Sequence, residues 1–326
     1  MSRTIGLAVV VSLAFTAPIV VAQPKHAVKD WTPPRTADGR PDLQGIWTNA
    51  TITPFERPAA LRDKAFLSEA DVAELEKQAG NRREEDDKPR AGDVGSYNQF
   101  WFDSGDHVVS TRRSSLVIEP SDGRVPLRPE SEQARDFANA HQGDAYELMS
   151  VWDRCITRGV PSGMFPAGYN NAYEILQAPG YVVIHYEMIH EARVIPTDGR
   201  PHLPSGVRSW NGDPRGRWEG NTLVIDTTNY NHRGWIATQA AAGRIKGIPQ
   251  TESLHVVERL ELSDANTIDY QATIDDPKTF TRPWTVSIPL HRNPSYQLYE
   301  YACHEGNHAV EGTLRGGRAK DKTAQK

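Results

Sequence analysis

The chain has 326 residues and a formal net charge of −5. That length suits one large domain or two small ones, and the mildly acidic balance excludes the basic face that nucleic acid or an anionic membrane surface requires. An anionic ligand stays open wherever arginines cluster.

Met1-Ser2-Arg3 precedes an apolar run from Ile5 to Phe15, and Val20-Val21-Ala22 stands before Gln23. A basic start, a short apolar core and small residues before a cut predict a secretory signal peptide over 1–22. The run is shorter than the roughly 20 residues of a membrane span. Gln23 also occupies the place where a lipoprotein needs Cys. Cleavage would remove one of 37 cations, Arg3, leaving 36 against 42 acids and a net charge of −6. The expectation is a periplasmic or secreted protein, with no membrane insertion after cleavage.

Residues 23–42 carry Pro24, Pro33, Pro34 and Pro41 and read as an irregular arm. A single β-rich domain is expected over 43–315, with no repeat and no linker. It opens with Gly45-Ile46-Trp47, a spacing found at the start of lipocalin-type barrels, although an ordinary strand with a core Trp fits equally. Ser68 caps a helix that ends by Gly80. The run from Arg82 to Lys88 is a solvated loop. His107–Ser110 and Ser115–Ile118 read as paired strands, and 129–141 and 144–155 as two helices, so a helical region spans about 68–155.

From Gly180 the chain is strand and turn. Tyr181–Glu187 and Glu191–Ile195 flank a reversal. Glu219-Gly220-Asn221 is a tight hairpin before Thr222–Thr227, and Ser263–Asn266 is a second. Thr279–Leu290 and Tyr296–Cys303 close the series, and 316–326 reads as a disordered tail. Hairpin after hairpin without helices between them predicts a mainly β fold, an antiparallel meander forming a calycin/lipocalin-like barrel or a sandwich.

Cys155 and Cys303 are the two cysteines. In an exported chain such a pair reads most simply as a disulfide, the other arrangement being two buried thiols. A bridge closing so long a loop stabilises by about 5 kcal/mol on chain-entropy grounds. It would also bring Arg154 beside His304 and Glu305.

Long motifs run through the chain: Arg154-Cys155-Ile156, Tyr169-Asn170-Asn171, Asp198-Gly199-Arg200-Pro201-His202-Leu203-Pro204, Gly212–Gly220, Thr273–Pro277, Thr281–Trp284 and Tyr301–Asn307. Together they resemble a widespread family of exported bacterial proteins with no assigned activity. The resemblance covers nearly the whole mature chain and implies export. It carries over no cofactor and no catalytic residue, and relatives often have Tyr at the position of His308.

Three constellations are candidates for chemistry. His304-Glu305-Gly306-Asn307-His308 matches a zinc-protease pattern, but Gly306 and Asn307 are poor helix formers, and that pattern needs a helix. His185, Glu187 and His190 would share one side if the strand bends at Met188-Ile189. They then offer an acid–base pair, a metal triad or simply a polar barrel rim. The third group depends on the disulfide. Arg154 would hold an anion, His304 would act as base, and Glu305 and Asn307 would stand beside them. Tyr169 is a proton donor or a cap on the barrel mouth, in a loop read as flexible and polar. Asn170, Arg193, His202 and Trp210 are candidate substrate contacts. Trp218, Trp235 and Trp284 read as core or rim packing.

There is no Gly-rich phosphate loop, no dinucleotide fingerprint, no paired CxxC and no G-x-S-x-G elbow. No cofactor and no metal are called for. The functional expectation is an acid–base enzyme of lyase, isomerase or hydrolase type. It would act on a small organic or carbohydrate molecule with His190, His304, Tyr169, Glu187 and Glu305. The alternatives are a barrel that carries an apolar or sugar ligand, and a metal-dependent hydrolase.

Overall fold

The computed structural model describes residues 31–86 and 102–324. The expected signal peptide, the first part of the arm and the end of the charged run after Asp86 lie outside the described residues. The architecture is mainly antiparallel β, a nearly closed barrel-shaped sheet, with three α-helices among the described residues. No helix among the described residues is long and apolar enough to cross a membrane.

The strands are β1 (Gly45–Thr48), β2 (Val117–Glu119), β3 (Ala172–Ala178), β4 (Tyr181–Tyr186), β5 (Ala192–Pro196), β6 (Asp213–Glu219), β7 (Thr222–Thr228), β8 (His255–Asp264), β9 (Thr267–Asp275) and β10 (Trp284–Arg292). Their order around the sheet is β5-β4-β3-β1-β10-β9-β8-β7-β6, with β2 added to β10. Most neighbours are consecutive hairpins. The exception is β1, which sits between β3 and β10 and joins the two runs of the meander.

Gly45-Ile46-Trp47 opens the barrel. Trp47 is fully buried, and the Arg292 guanidinium lies 4.2 Å from its ring centroid. Arg292 Nη1 donates to the Gln44 carbonyl at 2.7 Å, fastening the end of β10 over the start of β1. A side chain at position 45 would meet that nitrogen at 2.6 Å, and the backbone there has φ +123°, so glycine is required. At the far seam, β5 packs against β6 beside Gly216, where a Cβ would meet Thr197 Cγ2 at 2.7 Å.

Alternation along the strands fills the interior. Ile184, Ile195, Ile225, Leu260, Tyr270 and Ile288 point inward with Trp47, Tyr173 and Trp284. Within this apolar packing lies one ion pair. Arg193 points inward from β5, and its Nη1 and Nη2 donate to the two oxygens of Glu258 on β8 at 3.0 and 2.6 Å. Thr227 and the Tyr270 hydroxyl complete the network. Both charges are buried, and the fork-on-carboxylate geometry satisfies them mutually.

Several local expectations are corrected. The helix begun by Ser68 is α1 (Glu69–Asp86) and passes through Gly80. Val117–Glu119 pairs with β10 rather than with 107–110, which forms turns. The first of the two helices is present as α2 (Pro129–Ala140). The second is reduced to a 3-10 turn, Tyr146–Leu148, and irregular turns. There Ser150 and Asp153 bond each other in place of a helical ladder, and Cys155 takes a left-handed φ of +52°. Tyr296–Cys303 is not a strand. The tail expected to be disordered forms α3 (Ala309–Ala324), with the Asn307 side chain accepting from the Ala309 N–H at its start.

Candidate functional site at the barrel rim

One rim of the barrel gathers several of the candidate side chains. Cys155 and Cys303 form the disulfide, which ties the segment after β10 to the turns before β3. Beside it lies an open cleft of about 480 Å³ lined by Cys155, Ile156, Ile189, Glu191, Tyr301, Ala302, Cys303, His304 and Glu305. Three segments distant in sequence build its walls: the turns at 155–157, the β4–β5 reversal at 187–191, and residues 301–305.

The β4–β5 reversal is strained. Ile189 and His190 both have left-handed backbones, with φ of +63° and +54°. The bend sends consecutive side chains in different directions. Glu187, expected on the same side as His185, turns inward and is fully buried, where the Tyr296 hydroxyl donates to its oxygens at 2.8 and 2.9 Å. His190 stays exposed and meets the His185 ring edge-on at 4.6 Å. His185 is pushed below the usual imidazole range by burial and by His190. His185, Glu187 and His190 therefore do not converge on one point.

Glu191 is the residue that the bend delivers to the cleft. Its Oε2 accepts from the Thr157 hydroxyl at 2.7 Å, and its Oε1 from the Asn211 amide. Thr157 in turn touches Asn211 Oδ1 at 2.9 Å, so the carboxyl is gripped from two sides. Burial raises the Glu191 pKa, and these hydrogen bonds only partly offset it. The result is a positioned carboxyl on a cleft wall that holds its proton more tightly than an exposed glutamate.

Two phenols stand beside it. Tyr301 lines the cleft close to Tyr169, whose own pKa is raised by burial and by Tyr301. Tyr169 packs near the Trp152 ring. Behind them is Arg158. It is 3 % exposed and lies 5.5 Å from the Trp152 ring centroid, and burial lowers its pKa to about 10. A second cavity, with room for about one water, is lined by Arg158, Asn170, Asn171, Tyr173, Tyr186 and Asn49 among others. Asn170 has a left-handed backbone at its edge.

The disulfide does bring Arg154, His304 and Glu305 to one end of the sheet, but not into one contact. His304 and Glu305 line the cleft, whereas Arg154 lies between the Tyr146 and Trp210 rings, 5.1 and 5.8 Å from their centroids. Asn307 is occupied with α3, with the Asp153 carbonyl and with Cys155 Sγ. Arg193 is consumed by Glu258 inside the barrel. His202 is on the outer face, where its ring nitrogens lie 3.1 Å from Asp213 and 3.2 Å from Asp226. The 304–308 segment is a turn ahead of α3, so His304 and His308 lack the shared helical face their spacing requires. Among the described residues, no group of three or more His, Cys, Asp or Glu side chains is arranged to hold a metal ion.

Sequence reasoning passed over Glu191 and Arg158. Arg158 sits in Thr157-Arg158-Gly159-Val160-Pro161, a stretch read as leading into a flexible loop. It is instead buried, with Val160, Met164 and Phe165 in the core and Ser162 hydrogen-bonded to Gln239 at 2.9 Å. The available signal was the apolar content between its glycines and prolines, which a solvated loop does not need.

The fold and site together define a nearly closed antiparallel β-barrel with a filled interior and, at one rim, a cleft that carries a few polar side chains. No family model matches the chain, and comparison with curated proteins and with solved structures gives no match.

Proposed function

We propose that the chain is an exported enzyme that transfers protons with side chains of the rim cleft. Its substrate would be a small organic or carbohydrate molecule, and the reaction of lyase, isomerase or hydrolase type. The observation that carries this reading is Glu191. Its carboxyl is fixed by Thr157 and Asn211, held towards its protonated form by burial, and exposed to a cleft that also presents Tyr301, His304 and Glu305.

A general acid works best when its pKa lies near the working pH, and partial burial moves a carboxyl that way. In this reading Glu191 gives or takes the proton and His304 serves the opposite step across the cleft. Tyr301, backed by Tyr169, donates a hydrogen bond to a substrate oxygen. Arg154, stacked between Tyr146 and Trp210, forms an outer binding platform. His190 and Glu187 are left with structural parts in the strained bend that aims Glu191. The disulfide and the motif resemblance support export and membership of the exported bacterial family.

The filled barrel weighs against a carrier of apolar ligands, because Trp47, Tyr173, Tyr270 and Trp284 occupy the space such a ligand would need. The test is turnover by purified protein against a panel of sugars, lactones and small hydroxy acids. Glu191→Gln is expected to lower the turnover found by at least about 100-fold, the scale of general acid–base catalysis. Unchanged turnover in both Glu191→Gln and His304→Ala would reject the reading.

A further inference from the structure

Arginine is almost never fully buried without an anion beside it, because its desolvation costs several kcal/mol that only an opposite charge or a full set of acceptors recovers. This barrel contains both cases. Arg193 has Glu258 on a bidentate fork. Arg158, equally buried, has no carboxylate within ion-pair distance among the described residues; its Nε–H, like that of Arg193, has no hydrogen-bond acceptor, so the missing carboxylate is what sets it apart.

What surrounds Arg158 sharpens the contrast. Its charge rests against the Trp152 face, which compensates only in part. It lines the small inner cavity with Tyr173, whose hydroxyl is also buried without a partner. The Tyr186 hydroxyl on the same cavity is likewise unpartnered, and Asn49 Oδ1 is the one unpartnered atom there that can only accept; its amide nitrogen is already spent on the Met164 carbonyl at 2.8 Å. The cavity is thus rich in donors, positively charged and sized for a single oxygen atom. Tyr169, Tyr301 and Glu191 connect it to the cleft: all three act on Arg158 electrostatically, the Arg158 backbone N–H donates to Glu191 Oε2 at 3.4 Å, and Tyr301 and Glu191 line the cleft wall.

We propose that Arg158 is the anchor for a carboxylate on the ligand, which enters from the rim cleft past Tyr301 and places one oxygen in the inner cavity. A carboxylate fits better than a larger oxyanion, because its planar pair of oxygens matches the guanidinium fork and the inner cavity admits only one oxygen. Resting on the acid–base reading of the cleft, this makes the substrate a small organic acid or a uronic-type sugar, with its acid group at Arg158 and its reacting carbon near Glu191. Neutral sugars lack the group that the site is short of.

The test uses formate and acetate as probes, with acetamide as the neutral control, on the whole mature protein. Saturable movement of the Arg158 Nε–H resonance by formate and acetate, together with a rise in melting temperature, is expected, and acetamide should produce neither. Arg158→Met should weaken formate binding by about 10- to 100-fold, the scale of a lost charge-assisted hydrogen bond. The same variant should melt no lower than the wild type without ligand, because an unmatched buried charge has been removed. A structural arginine would instead lower the melting temperature. If Arg158→Met does not fold, the wild-type resonance decides alone: no movement, or equal movement with acetamide, overturns the proposal. Glu191→Gln should still bind formate. Loss of turnover in that variant with intact anion binding supports both readings. Anion binding with unchanged turnover removes only the enzymatic one, and failed anion binding with lost turnover removes only the carboxylate anchor.

Discussion

Four buried charges near this sheet meet three different fates, and the difference is set by geometry. Arg193 and Glu258 face each other across the barrel and neutralise one another, with Thr227 and Tyr270 adding a contact to each and only Arg193 Nε left without an acceptor. Glu187 has two oxygens satisfied by the Tyr296 hydroxyl and one of them also by the Tyr299 N–H at 3.3 Å. Arg158 has no such match. For the matched pair, Glu258→Gln is expected to cost about 3–5 kcal/mol in denaturant unfolding, because it strands the Arg193 charge. The double change Arg193→Met, Glu258→Leu should recover most of that loss; a single change as mild as the double would show that the pair is not coupled. The inward aim of Arg193 was legible, since it shares the parity of Ile195, just as Glu258 shares that of Val256 and Leu260. What the sequence does not contain is the closure that brings β5 opposite β8.

At the level of elements, local signals were dependable and distant ones were not. The hairpins at Gly220-Asn221 and Ala265-Asn266 stand where turn chemistry puts them, because a two-residue connection needs only its own residues. Segments whose polar groups are satisfied from far away misled. Tyr296–Cys303 has the composition of a strand, but Tyr296 is spent on Glu187, and its end is pinned by Cys155. The reversal after Tyr186 hides Glu191 for the same reason: its aim depends on two left-handed residues, Ile189 and His190, which carry no glycine signature. The disulfide is the element-scale device that joins these pieces into one cleft wall. Replacing both cysteines, Cys155→Ser with Cys303→Ser, should lower stability by about 5 kcal/mol on chain-entropy grounds. It should also raise hydrogen exchange at 301–305 above that of β4 and β5. Protection at 301–305 equal to the oxidised protein would show that the cleft wall stands without the bridge.

Over the whole molecule, an up-and-down meander becomes a barrel through two contacts that no local pattern announces. One is the insertion of β1 between β3 and β10, fixed by Arg292 over Trp47; the other is the approach of β5 to β6 at Gly216. The Gly45-Ile46-Trp47 spacing hinted at the first, and nothing local hinted at the second. Filling the barrel with Trp, Tyr and an ion pair leaves the rim as the place where a ligand can meet polar side chains. The rim reading stands on Glu191 holding its proton more tightly than an exposed glutamate, because burial raises its pKa. The direct measurement is the titration of the Glu191 side-chain carboxyl by carbon NMR on the mature protein, with Glu191→Gln to assign the signal. A midpoint clearly above the exposed glutamates is expected, so that as the pH rises Glu191 is still protonated after they have ionised. A midpoint at or below about 4.3, the value of an unperturbed glutamate, would contradict the proposed proton-transfer site.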